Sequence, residues 1–292
     1  MNLDDHIKKK NKRERKKISV KTISTQNYDY NINDIKKTIK KLGIRKGDNI
    51  FLSSNITFFG LTAAKNKDDL CQMFLNCFLK AIGKNGTLCV PTYSYSFGQK
   101  KIYNTKTTPS DCGILSEYLR THKLAKNYLD PNVSISIFGK KSKTFTNYVT
   151  ENSYGENSFF DKFFRANGKI CNLNLPAETC FVHYFERKLK VSYRFDKKFE
   201  GIIINNKKRL KKTSFLFVRK LENGTEGDYA ALSGAMVKYR ILKKENLGRG
   251  FAICYKLKDQ YDLLKKIIKK DKFFLTKKRK KNFKSFTNFT FY

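Results

Sequence analysis

At 292 residues, with a hydrophobic fraction of 40%, 25 Phe and 16 Tyr, the chain has the length and the apolar side chains to bury a core, which excludes a wholly disordered or fibrous protein. Its 62 Lys and Arg against 25 Asp and Glu give a formal charge of +37, which favours polyanions and disfavours a polycationic ligand at long range. No apolar run is long enough to cross a bilayer and no hydrophobic segment backs the N-terminal charges, so the reading is a cytosolic chain without a membrane span.

The Lys are spread along the whole sequence beside abundant Asn, Ile, Phe and Tyr. That is a general residue bias rather than one binding stripe, and it gives no specific nucleic-acid partner. Residues 1–30 are read as a basic N-terminal tail, densest in Lys and Arg from Lys8 to Lys17, and 276–292 as a basic and aromatic C-terminal tail. Between them, 31–275 form a single catalytic domain. Seven Cys, an odd number without a Cys-x-x-Cys pair, read as reduced buried thiols, and no tight ligand cluster suggests a metal.

In chain order, Asn33 is placed to cap a helix over 34–42 that carries Ile35, Ile39 and Leu42 on one face and ends at Gly43. Residues 49–55 then read as an apolar strand ending in Ser53, Ser54 and Asn55. Such polar strand ends hold ligands in α/β folds, and the same residues also serve as plain turn formers. A second helix is expected over 68–81, and a strand over 87–90 breaks at Pro91 into a polar segment that includes Tyr93. Alternating strands and helices predict an α/β fold with a central mixed sheet flanked by helices.

Thr108, Pro109 and Asp111 have the spacing of a capping box with proline at the first helical position. Free amides and hydroxyls there, including Ser110, suit an anion or a polarised carbonyl, and equally they make a cap and nothing more. A turn at 129–132 leads to an alternating strand through Ser134 to Phe138. Ser158 and Asp161 form a second capping box, for a helix over 159–165. Later strands are expected over 191–195, 201–204, 213–218 and 250–255, with helices over 228–237 and 258–270.

Residues 168–186 hold the main chemical signal: a short apolar strand, a turn at Pro176 and a helix over 177–189. His183 and Glu186 are three apart on that helix, so their side chains share a face. An imidazole oriented by a carboxylate is a proton acceptor for work near neutral pH, although His/Glu pairs also occur as ordinary structural hydrogen bonds. The chain has three His. Of the other two, His6 lies in the basic tail and His122 follows a helix ending in Arg120.

Seven segments fall in one order: Leu42-Gly-Ile-Arg-Lys-Gly-Asp48, the Ser53-Ser54 strand end, 81–87 (AIGKNGT), 91–97 (PTYSYSF), 108–113 (TPSDCG), 154–158 (YGENS) and 182–186 (VHYFE). Together they resemble the aminoglycoside 3-N-acetyltransferase family, the antibiotic N-acetyltransferases, from about residue 33 to about residue 275. The resemblance implies acetyl-CoA as donor and acetylation of an amine on an aminoglycoside or amino-sugar acceptor. It places the catalytic His on His183 and its Glu on Glu186. It also implies Ser53, Ser54, Thr108, Ser110 and Ser134 as cofactor-binding positions, with Tyr93 and Glu156 on the acceptor side and no metal.

The chain departs from the family pattern where the acceptor is expected. Ser53 replaces a His, Asp130-Pro-Asn-Val-Ser134 keeps only the Pro and the Ser of a His-Pro-x-His-Ser segment, and Cys180 replaces a Thr. With the +37 charge, these changes point to an anionic acceptor such as a nucleotide-linked amino sugar. A homo-oligomer is left open. The competing class is a catalytically inactive relative that binds polyanions or acidic membrane surfaces.

Overall fold

The computed structural model describes residues 27–287. Its first helix, α1 (Ile32–Lys41), is capped by Asn31. That side chain accepts from the amides of Asn33 and Asp34, while Asp34 accepts from the Asn31 amide. The cap therefore lies two residues before the expected Asn33, because only Asn31 has an acidic residue three places on. Strand β1 (Asn49–Ser54), helix α2 (Lys67–Ile82) and strand β2 (Thr87–Pro91) follow as expected.

A two-residue strand β3 (Tyr103–Asn104) precedes α3 (Ile114–Arg120). The proposed cap at Thr108 and Pro109 is not one, since α3 begins after Gly113, whose φ of 93° suits glycine. The Thr108 hydroxyl instead accepts from the Asn104 amide at 2.8 Å and closes a turn. Next come β4 (Lys126–Tyr128), β5 (Ile135–Gly139), α4 (Ser142–Thr146), α5 (Phe159–Arg165) and β6 (Lys169–Leu173). Ser158 caps α5 by accepting from the Asp161 amide.

Helix α6 (Phe181–Lys188) starts later than the expected 177, because the carbonyls of Pro176 and Ala177 are held by Asn172 Nδ2 and Tyr255 Oη. The three short strands expected between 191 and 218 form one long hairpin, β7 (Arg194–Asn205) and β8 (Lys208–Arg219). Asn206 and Lys207 both have positive φ at its turn, matching the twist of the ribbon. The described residues end with α7 (Ala230–Lys238), β9 (Lys243–Leu247), β10 (Gly250–Lys256), α8 (Leu257–Lys270) and a 3₁₀ turn at Lys281–Thr287.

Seven strands form the main sheet in the order β4-β5-β2-β1-β6-β10-β9, with β2, β1 and β6 parallel and the others antiparallel. Alternation along β1 divides the core: Phe51 joins one apolar cluster while Ile50 and Leu52 join the other. Helices α1, α2 and α3 supply the second cluster, and α5 to α8 supply the first, which is dominated by Phe159, Phe160, Phe163, Phe181 and Phe185. The three-stranded sheet β3-β7-β8 is separate.

The expected N-terminal tail lies outside the described residues up to position 26. Residues 276–287, expected as part of a C-terminal tail, are packed onto the domain. Thr276, Arg279 and Phe286 are buried there, and Arg279 pairs with Asp228 at 3.1 Å. Among the described residues no helix is long and apolar enough to cross a membrane.

Candidate active site

The carboxyl ends of the parallel strands β1 and β6 lie side by side, with Ser53 opposite Asn172 and Ser54 opposite Leu173. In open α/β sheets this edge faces the ligand crevice. The chain leaves β6 through 174–180 and enters α6 there. Ser233 of α7 fastens that connection, accepting from the Ala177 amide and donating to Glu178 Oε1 at 2.8 Å.

On α6, His183 Nδ1 lies 2.8 Å from Glu186 Oε2. The Glu186 side chain is fully buried, whereas that of His183 is 25% exposed. With Nδ1 donating to the carboxylate, Nε2 is the ring nitrogen left to accept a proton. The Tyr154 and Tyr229 rings stand edge-on to the imidazole, at 5.7 and 6.0 Å between centroids. They fix its plane from two sides.

Glu186 has two further neighbours from outside the helix. Tyr193 Oη donates to Oε1 at 2.8 Å, and Arg194 Nε lies 2.7 Å from Oε2, the same oxygen that His183 uses. Arg194 also donates through Nη1 to the Phe217 carbonyl at 2.9 Å and through Nη2 to Tyr229 Oη at 2.6 Å. Burial disfavours the guanidinium charge, but Glu186 together with Tyr229 and Tyr193 outweighs it and raises the Arg194 pKa. Burial, reinforced by the Glu186 charge, pushes the Tyr229 hydroxyl up to about 12.

A second layer consists of Tyr93, Tyr95, Tyr154, Cys112 and Cys180. The Tyr95 hydroxyl and Cys180 Sγ are 3.9 Å apart. Burial raises the Cys180 thiol, more than its tyrosine neighbours lower it, so it stays protonated near neutral pH and is not a ready nucleophile. All seven Cys are free; five are buried, and Cys112 and Cys180 are half-buried.

The structure brings several predicted positions together. Asp111 donates its amide to the Tyr93 carbonyl at 2.8 Å, and Gly113 approaches the Ser54 carbonyl, so the 108–113 loop lies over the ends of β1 and β2. Within it, Ser110 Oγ accepts from the Cys112 amide at 3.1 Å. Ser54 Oγ is buried without a hydrogen-bond partner, and the Tyr93 hydroxyl, which faces the Cys180 thiol, likewise makes no hydrogen bond of good geometry.

Two predicted positions are placed differently. Ser134 is buried between β2 and β5 and donates to the Thr92 carbonyl, so its hydroxyl is committed to the sheet. Glu156 is exposed on the turn that follows Tyr154. The sequence reading missed Tyr193, Arg194 and Tyr229 as partners of the pair. Tyr193 immediately precedes, and Arg194 begins, a strand that folds back beside α6, and nothing in residue spacing marks that return. Among the described residues no group of three His, Cys, Asp or Glu is placed to hold a metal ion.

The family model for aminoglycoside 3-N-acetyltransferase matches residues 60–269 of the chain. Among solved structures, the fold is similar to AAC-IIIb, solved as a binary complex with CoASH, with a TM-score of 0.73 at 17% identity over 82% of this chain and 96% of that one. AAC-VIa with bound sisomicin gives 0.71 at 14% identity, over 82% and 98%. YokD from Bacillus subtilis gives 0.67 at 17%, over 81% and 98%. At these identities the likeness establishes the fold. No curated protein matches the chain in sequence.

Proposed function

The chain belongs to the aminoglycoside 3-N-acetyltransferase family, and on that premise we propose that it transfers the acetyl group of acetyl-CoA at the His183–Glu186 pair. The chain is an N-acetyltransferase with acetyl-CoA as co-substrate. Nothing in the fold or the family favours the inactive, polyanion-binding alternative.

The single observation that carries the assignment of the site is the 2.8 Å contact between His183 and a fully buried Glu186. An amine attacks a thioester only as the free base. His183 Nε2 takes its proton as the nitrogen bonds to the acetyl carbon and the carbon–sulfur bond breaks, and the proton then goes to the departing thiolate. Glu186 holds the imidazole in the accepting tautomer and stabilises the imidazolium.

The residues present suit an acyl thioester. Ser54 Oγ and the Tyr93 hydroxyl are buried donors that lack an acceptor, which a developing oxyanion would provide. Ser53, Thr108 and Ser110 border the same strand ends and are assigned to the CoA side. Ser134 supports β2 behind them rather than binding ligand.

For the acceptor, we favour an amino sugar carried on an anionic group such as a nucleotide. Arg194 already balances Glu186, and the protein carries +37 overall, so a polycation gains little from long-range attraction. AAC-VIa has been solved with sisomicin, and aminoglycosides are the comparison set. The test is CoA release from acetyl-CoA with aminoglycosides and nucleotide-linked amino sugars offered in parallel. Release with an amino-sugar nucleotide at the higher kcat/KM supports the refinement, and aminoglycoside turnover far above it overturns the refinement.

A further inference from the structure

Glu186 Oε2 is shared. His183 Nδ1 approaches it at 2.8 Å along the helix, and Arg194 Nε approaches it at 2.7 Å from β7. Arg194 then reaches Tyr229 Oη at 2.6 Å, and the Tyr229 ring returns to the imidazole at 6.0 Å, so four side chains close a ring. The Arg194 side chain is 8% exposed and is also tied to the Phe217 carbonyl. The guanidinium fork donates hydrogen bonds to Phe217 and Tyr229, while its Nε meets Glu186 as an ion pair outside hydrogen-bond geometry, so its charge is held against the carboxylate in a fixed place.

A carboxylate beside an imidazole favours the imidazolium, and a buried one does so strongly because its charge has no other compensation. An imidazole that already holds a proton cannot act as a base. The site therefore needs a Glu186 that orients His183, and steadies the imidazolium as it forms, without holding the imidazole protonated before the amine arrives. The other groups facing the imidazole do not supply a balancing charge: Tyr154 and Tyr229 are held neutral by burial, as is the Cys180 thiol, and Tyr193 donates a neutral hydrogen bond to Glu186. Arg194 is the cation on that carboxylate.

We propose that Arg194 is the positioning residue of this site: by binding the same Glu186 oxygen as His183, it balances the carboxylate and keeps the imidazole free to accept a proton. This rests on the assignment of His183 as the base, and it adds a role for the arginine that the acid–base pair alone does not contain. Two consequences distinguish it from simple packing. Loss of the guanidinium charge makes the His183–Glu186 pair hold a proton to higher pH, and catalysis then needs a more alkaline medium.

The experiment is a pH titration of the His183 ring by NMR in the full chain, assigned with His183→Asn, alongside the kcat/KM profile. Arg194→Lys, Arg194→Gln and Arg194→Met are compared with the unaltered protein. The His183 midpoint is expected to rise by about one pH unit in the two neutral variants and by less in Arg194→Lys, which keeps the charge but not the fork. The acid limb of kcat/KM moves with it. If the neutral variants do not fold, Arg194→Lys alone decides, because its ammonium cannot hold Glu186, Tyr229 and Phe217 together. A midpoint unmoved in the folded variants overturns the proposal even if acetyl transfer is intact. A midpoint that rises in a protein without acetyl transfer upholds the arginine's role and sinks the transferase site instead.

Discussion

His183 and Glu186 differ sharply in exposure although they touch at 2.8 Å: the carboxylate is sealed in the core and the imidazole keeps an open side. The pair thus has a buried anchor and a working end. Tyr193 and Arg194 fill the carboxylate's remaining sites, which prevents Glu186 from rotating away. Geometry of this kind fixes which ring nitrogen faces the substrate.

Replacing Glu186 by Gln removes that anchor and leaves Arg194 buried without its counter-ion. Stability is expected to fall by about 3–5 kcal/mol, since a buried charge loses its partner. Turnover should fall by a factor on the order of 10² to 10⁴ as the His183 tautomer is no longer held. Urea denaturation and kcat on the same preparation check both, and a variant of unaltered stability and rate would refute the anchoring role.

The two faces of the sheet should separate stability from activity. Phe181 opens α6 and packs on Phe51, Phe160 and Phe163 with centroids 4.9–5.5 Å apart. Phe59 lies in the opposite cluster, stacked on Phe74 at 5.8 Å. Truncating either to Ala is expected to cost about 3–5 kcal/mol. Only Phe181→Ala should also lower kcat, because it loosens the helix that carries His183. Equal loss of kcat in both variants would contradict this division.

The C-terminal segment depends on one glycine. A Cβ on Gly234 would sit 1.9 Å from the Phe286 carbonyl oxygen, a backbone atom that cannot swing aside. Gly234→Ala should therefore release the 281–287 turn from α7, lowering the thermal midpoint and speeding tryptic cleavage among Lys277, Lys278, Lys280 and Lys281. Unchanged cleavage would show that the turn does not depend on this contact.

Acid stability can be read at Glu117, whose carboxyl is held below its usual range chiefly by the Arg120 hydrogen bond. A depressed carboxyl contributes stability that is present above its unfolded value and lost as pH falls through its folded one. Glu117→Gln is therefore expected to melt below the unaltered protein at neutral pH. The two should converge as pH drops from about 5 towards 3 and below. A gap that persists at pH 2.5 would assign the effect to packing instead.

Much of this fold was legible because it is local. The helices over 34–42, 68–81 and 159–165 carry their own stripes and caps, and the structure returns them within a few residues. His183 and Glu186 were legible for the same reason, since three-residue spacing on a helix dictates a shared face. Arg194 and Tyr229 were not, because the contact of Arg194 with Glu186 and of Tyr229 with Arg194 and His183 depends on how β7 and the start of α7 fold back onto α6. Edge strand β9 was missed as well, since Lys243-Lys-Glu-Asn-Leu247 has no apolar alternation and gains its ladder only from β10. Thr108 and Pro109 misled because their hydroxyl and turn chemistry serve β3 instead of a helix.

The most direct test of the account is CoA release from acetyl-CoA by the unaltered protein and by His183→Asn, each with and without an accepted amine. The account predicts release only when an amine is present, and a fall in kcat of about 10²- to 10⁴-fold in the variant with acetyl-CoA still bound. Undiminished turnover in His183→Asn would contradict the role given to the imidazole and, with it, the placement of the active site.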